Sequence, residues 1–365
     1  MKIDKTSAVN NVSHDNNFDF LRILFAFFVL ITHCYPLSGA PEEDILFKLS
    51  DGQTTLSYVG VRGFFIISGY LIMKSLLRSN DLIDFYWKRC LRIFPALWVT
   101  IILSVVAGYW ISSKSAVSYI TDATTIRYLL SNLILKVEYN IDGIFSDNPY
   151  PKVVNGSLWT IPYEFLFYCI LSLFFKLKSK NNLFVSCFLF LYSMFLIYYI
   201  SLFSIGDSVR FTVPFYNIDS KAIAEFGLFF FAGSVFAVFN LPFYKHRTYI
   251  IFISFAVFVC SLLWGWFFIS KFVFLPLSII YFGTSKSFIL SKINKFGDPS
   301  YGLYLWGFPV QQAIVFFLEP NVSILMMLSI PVTTLLAYLS WFLVEKKMMK
   351  IKNTYFKAYF VRYLV

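Results

Sequence analysis

Continuous apolar runs of about twenty residues, separated by short polar connectors, repeat along almost the whole chain. They lie near residues 18–38, 57–76, 93–112, 158–175, 183–204, 222–241, 248–268, 270–286, 301–318 and 322–344. A helix rises about 1.5 Å per residue, so each run is long enough, or nearly so, to cross a hydrocarbon core about 30 Å thick. The pattern predicts an all-α polytopic membrane bundle with about ten transmembrane helices. Strict alternation over about ten residues, which an outer-membrane barrel requires, is absent. The longest connector, 113–157, contains RYLLSNLILKVEY, which is too short to span and predicts an interfacial or re-entrant helix. Its tail, SDNPYPKVVNGS, reads as an exposed loop.

Composition agrees: 58% of the 365 residues are hydrophobic and only 14% charged, with mean hydropathy +0.68. The net charge of +11 would point to nucleic acid in a soluble protein. Here most of the 31 Lys and Arg fall on inner segments if the N-terminus is cytoplasmic, so membrane orientation explains the excess without a nucleic-acid partner. Both ends are then expected in the cytoplasm, with an even number of crossings and membrane lipids as constant neighbours. Residues 1–17 read as a cytoplasmic tail, 18–347 as one membrane domain, and 348–365 as a basic aromatic tail on the anionic inner leaflet. The first run lacks a small-residue cleavage site and is expected to stay as an anchor. Cys34, Cys90, Cys169, Cys187 and Cys260 have no paired spacing, which predicts neither disulfides nor a metal site.

Ionisable groups inside spans are costly and therefore draw attention. Arg22 and His33 lie eleven residues apart in the first run, three helical turns that return both to one face about 16 Å apart along the axis. An anion-binding cation and a proton acceptor thus share a stripe, unless Arg22 only snorkels and His33 only packs. Counting from the outer ends of their runs puts His33, Arg62 and Glu164 in one layer, where Glu164 can orient the imidazole and stabilise its charged form. The plainer alternative is a self-neutralising structural cluster. At the inner side, DFYWKRCLRIFPALW carries Lys88, Arg89 and Arg92, the last two on one helical face, with Pro95 as a possible start of the next helix. Such cations can grip phosphates, although ordinary inside-positive charge gives the same composition.

Read in order, FDFLRILFAFFVLITH, GVRGFFIISGYLI, FYWKRCLRIFPALW, NGSLWTIPYEFLFY, FGDPSYGLYLWGFPVQQ and LSWFLVEKK resemble the successive motifs of the acyltransferase-3 family of integral membrane acyltransferases, among them surface-polysaccharide O-acetyltransferases. The resemblance runs from about residue 18 to 347. It implies transfer of an acyl group, usually acetyl from cytoplasmic acetyl-CoA, to a hydroxyl of a glycan or lipid-linked saccharide reached from the other side of the inner membrane. It also implies that Arg22 and His33 serve catalysis, that Arg89 and Arg92 serve the acyl-CoA site with Lys88 beside them, and that Glu164 is the acid of the SLW motif. Trp159 and Tyr304 match motif positions of open role. Gly307 departs from the pattern where many relatives carry His, and Lys346 and Lys347 replace a basic-Pro pair.

His33 is expected to act as general base toward the acceptor hydroxyl or to carry the acyl group itself, and the sequence leaves both open. Arg62 is a candidate for oxyanion stabilisation. For the acceptor, Trp159, Tyr304, Gln311 and Arg62 are candidates, with interhelical hydrogen bonding as the competing role for Gln311. The rival class is a transporter or flippase of a lipid-linked glycan, which suits many spans with intramembrane charges equally well.

Overall fold

A computed structural model describes residues 16–179, 181–239, 246–285, 290 and 296–351. The expected N-terminal tail and C-terminal basic tail therefore lie almost wholly outside the described residues. Among those described, the chain is a helix bundle whose strand content is one two-residue antiparallel pair, β1 (Thr212–Val213) and β2 (Ile218–Asp219). Seven helical segments are long and apolar enough to cross a membrane. They are α1 (Phe18–Leu37), α3 (Leu56–Arg78), α4 (Leu82–Ile111), α8 (Asn181–Ser204), α9 (Ser220–Phe239), α13 (Ser300–Leu318) and α14 (Val322–Ser340), which continues to Ile351. Shorter apolar helices, α7 (Ile161–Ser172), α10 (Arg247–Leu263) and α12 (Phe274–Gly283), fill the remaining expected places. Small helices α2 (Ile45–Leu49), α5 (Ala116–Ile120), α6 (Ala123–Leu133) and α11 (Phe267–Ser270) sit in connectors.

The start of α1 defines what is called here the lower end. There α4 begins earlier than its apolar run: Asp81 caps it by accepting from Asp84 N, and the helix runs thirty residues through Pro95. The basic motif ahead of the expected span is thus part of the helix, and Pro95 lies inside the helix rather than at its start. At the upper end a buried carboxylate ties three elements together. Asp44 accepts from Leu46 N and Phe47 N at the start of α2, from Leu56 N at 2.7 Å, and from Thr32 Oγ1 of α1 at 2.5 Å. The helices α3 and α9 cross backbone to backbone. A Cβ on Gly69 would meet Phe230 O at 1.8 Å, and one on Gly233 would meet Ile66 O at 2.0 Å. Small residues permit this approach, and Ser234 Oγ seals it by donating to Gly69 O at 3.0 Å.

The connector 113–157 departs from expectation. RYLLSNL forms the body of α6, and Leu133 O accepts from Trp98 Nε1 at 3.1 Å. The tail read as exposed is so at Ser146, Asp147 and Pro149 to Lys152, but Asn148, Val154, Asn155 and Ser157 are buried in the bundle. Its asparagines explain this: Asn148 donates to Gln312 O and Oε1, and Asn155 donates to Leu305 O at 3.0 Å in the middle of α13. Non-helical backbone survives at such depth where protein groups satisfy it. The chain then makes a 3-10 turn at Gly156–Thr160 and only afterwards becomes the twelve-residue α7, with Pro162 in its first turn.

Candidate active site

Helices α1, α3, α4, α7 and α13 line a cavity of about 140 Å³. Its floor is basic: Arg22 from α1 and Arg89 and Arg92 from α4 all line it. Asp298, just before α13, gathers two of these guanidiniums, at 2.6 Å from Arg92 and 3.2 Å from Arg22. Arg22 also pairs with Asp19 one turn below, and Arg92 reaches Glu345 at 3.2 Å. Glu345 arrives there on a π-helical turn, Trp341–Glu345, that extends α14. Such turns shift side chains off the α-helical register and recur at functional sites. Burial alone would raise the Asp298 carboxyl, but Arg22, Arg92 and two bonds from Ser300 hold it down at about 2.

Midway up, Glu164 accepts from Ser68 Oγ at 2.8 Å and from Tyr168 OH through the same oxygen. These three form a polar girdle in walls otherwise supplied by residues such as Val61, Phe65 and Leu71. At the top, Thr160 and Tyr304 share a 2.6 Å hydroxyl hydrogen bond, with Phe64 edge-on to the Tyr304 ring.

His33 lies above this ceiling and does not line the cavity. Its ring meets Phe308 edge-to-face at 5.5 Å, and Phe308 in turn faces Tyr150 at 5.9 Å. Gly156 makes room for Phe308, since a Cβ there would stand 2.5 Å from its ring. The expectation that Glu164 orients His33 therefore fails geometrically. The depth of a full-length span does not apply to Glu164, because α7 starts deep in the bundle and carries it down to the level of Ser68.

Arg62 belongs to a different polar centre. It pairs with Glu225 at 3.0 Å and stacks over Tyr58, while Lys271 joins the same carboxylate at 3.2 Å and bonds Tyr58 OH. It meets neither His33 nor the cavity wall. Trp159 packs on Tyr163 and Phe226 outside the cavity. Lys88 turns away from the floor to Asp84, because adjacent helical positions diverge by about 100°. Gln311 is fully buried and donates to Leu30 O at 2.8 Å and to Cys34 Sγ, joining α13 to α1.

Sequence reasoning singled out Arg22, Arg89, Arg92, Glu164 and Tyr304, and all five line the cavity. It missed Asp298, Ser68, Tyr168, Glu225 and Lys271. Asp-Pro-Ser ahead of an apolar run is a helix-start signature, and Glu225 and Lys271 obey the same rule on intramembrane charges that drew attention to Arg22. At position 307, where many family members carry His, a Cβ would meet Leu30 Cδ1 at 2.9 Å, so Gly307 accompanies close packing of α13 on α1.

Comparison with known proteins bears on the same helices. The model of the acyltransferase domain family matches residues 15–344. An O-acetyl transferase of Shigella phage Sf6 is 32% identical over 340 residues, covering 91% of this chain and 95% of that protein. Nodulation protein 10 of Rhizobium leguminosarum bv. viciae is 30% identical over 191 residues, covering 48% of each. No solved structure matches the chain. With the family model spanning nearly the whole helix bundle, the chain belongs to the acyltransferase-3 family and is a membrane O-acyltransferase.

Proposed function

We propose that the protein takes acetyl from acetyl-CoA at the lower, cytoplasmic end and passes it to a hydroxyl of a cell-surface glycan or lipid-linked saccharide at the upper end. The observation that carries this reading is the cavity itself, with three arginines at its floor, a polar girdle at mid-height and His33 above it on the helix that also bears Arg22. A floor guanidinium with donors to spare suits the phosphates of the donor. Ser68, Glu164 and Tyr168 offer hydrogen-bonding groups where the amide-bearing arm would run. That arm has about 16 Å to cover between Arg22 and His33.

The Tyr304–Thr160 bond closes the path below His33, so the thioester reaches the imidazole when that bond parts. His33 then either removes the acceptor hydroxyl proton as its oxygen attacks the thioester carbonyl, or is acylated and passes the group on. In both routes the carbonyl carbon ends bonded to the acceptor oxygen and the proton leaves with the thiolate of coenzyme A. The same reading places ten crossings in a bacterial inner membrane, α7, α10 and α12 completing the seven long helical segments, with both termini cytoplasmic.

The test supplies labelled acetyl-CoA to the cytoplasmic face of inverted vesicles that contain a glycan acceptor. Wild type should label the glycan, and folded His33→Ala should lose at least about 100-fold of the rate, the scale of general-base loss. Binding of acetyl-CoA by neither protein, together with movement of an unmodified saccharide, would replace this reading with a transporter.

A further inference from the structure

The three guanidiniums on the cavity floor differ in what they have left to give. Arg92 commits its two terminal nitrogens to two carboxylates, Asp298 and Glu345. Arg22 is held through one terminal nitrogen by Asp19 and by the same Asp298 oxygen, although its Nε, like that of Arg89, is buried without a hydrogen-bond partner. Arg89 lies one turn before Arg92 on the same face of α4 and lines the same cavity. Among the described residues it makes no ion pair, and its Nε is buried without a hydrogen-bond partner. Glu164, the cavity's mid-height carboxylate, is engaged by Ser68 and Tyr168. A buried guanidinium with unused donors gains most from an incoming anion, whereas a saturated one must first surrender a carboxylate.

Resting on the donor reading above, we propose that the arginine pair of α4 is divided: Arg89 contacts the phosphate of the donor, and Arg92 is a positioning residue that holds Asp298 and Glu345. Through those carboxylates Arg92 fixes the start of α13 and the π turn of α14 against α4. Arg22 shares Asp298, so α1 is held in the same register. The two carboxylates also repel an anion from the Arg92 side of the floor, which leaves the Arg89 side to receive it.

The experiment measures free coenzyme A binding by calorimetry, and thermal unfolding, on the purified full-length protein in detergent. Four variants are compared: Arg89→Gln, Arg92→Gln, Arg92→Lys and the double variant Arg92→Gln/Glu345→Gln. Arg89→Gln should unfold like wild type and bind at least about tenfold more weakly. Arg92→Gln should unfold at lower temperature, because it strips a partner from two buried carboxylates. The double variant removes one of those charges, while Asp298 keeps Arg22. It should recover most of the lost stability and bind within about threefold of wild type. Arg92→Lys should also bind within about threefold, and it decides the case if the Gln variants do not fold.

Unchanged binding in Arg89→Gln would overturn the assignment. So would a stable double variant, or a stable Arg92→Lys, that binds at least about tenfold more weakly than wild type. If wild type itself binds no coenzyme A, the donor reading falls and takes the role of Arg89 with it. Recovery of stability in the double variant would then still report, separately, on the pairing of Arg92 with Glu345.

Discussion

Asp298 is the residue on which the floor of the cavity depends, since helices α1 and α4 both end an arginine on it. Its carboxyl sits at about 2 against an ordinary value of 3.8. A folded pKa below the unfolded one contributes stability that is fully present above the unfolded value and is lost as pH falls through the folded value. The contribution here is on the order of 2 kcal/mol, present above pH 4 and lost toward pH 2. Thermal unfolding in detergent should therefore show a wild-type advantage over Asp298→Asn that shrinks as pH falls from about 4 toward 2. A gap that stays unchanged between about pH 4 and 2 would assign the effect to another group. The floor arginines and Tyr304 were legible as single residues because charge in an apolar run, or a motif, marks them. What did not follow was their pairing: Arg62, His33 and Glu164 carry equal apparent depths in the sequence, yet the structure gives each a different set of neighbours.

Helix positions were legible wherever an apolar run is long, and least so where a helix is broken or extended by polar groups. The span expected at 93–112 begins at Leu82 because Asp81 caps it, and the span expected at 158–175 shrinks to α7 because Asn155 holds the preceding segment inside the bundle. The knot at Asp44 is equally invisible in periodicity, since its partners are backbone amides of two other elements. Asp44→Ala leaves those amides without their acceptor, while Thr32 Oγ1 keeps Phe28 O and Ser57 N, and should cost about 1–3 kcal/mol, read as a fall in unfolding temperature. At the crossing of α3 and α9, Gly233→Val drives two methyls and a Cβ into Ile66 O. It should cost more than the roughly 1–3 kcal/mol of ordinary overpacking and show as loss of folded protein in detergent. Gly206→Ala, with nothing within reach of its Cβ but a positive φ, should be far milder.

For the whole molecule, composition gave a helical membrane bundle, and the described helices bear that out with seven segments of full spanning length. The charge bias predicts which end faces the cytoplasm, and labelling can check it. Cysteine placed at exposed Ser208, in the upper connector after α8, should react with a membrane-impermeant maleimide on intact cells. One at Asn80, between α3 and α4, should react only after the cells are opened, and the opposite pattern would invert the bundle. The short helix α7 carries a consequence for biogenesis. One of its anchors, beside the Ser68–Glu164 bond to α3, is the bond from Asn155 to Leu305, partners 150 residues apart along the chain. A nascent chain halted before α13 has nothing to receive that amide, and twelve apolar residues are too few to hold a bilayer-spanning position unaided. The cavity is incomplete until α13 has been made, since Ser300, Tyr301 and Tyr304 line it, and a polypeptide truncated ahead of Ser300 should be cleared by quality-control proteolysis rather than show partial activity.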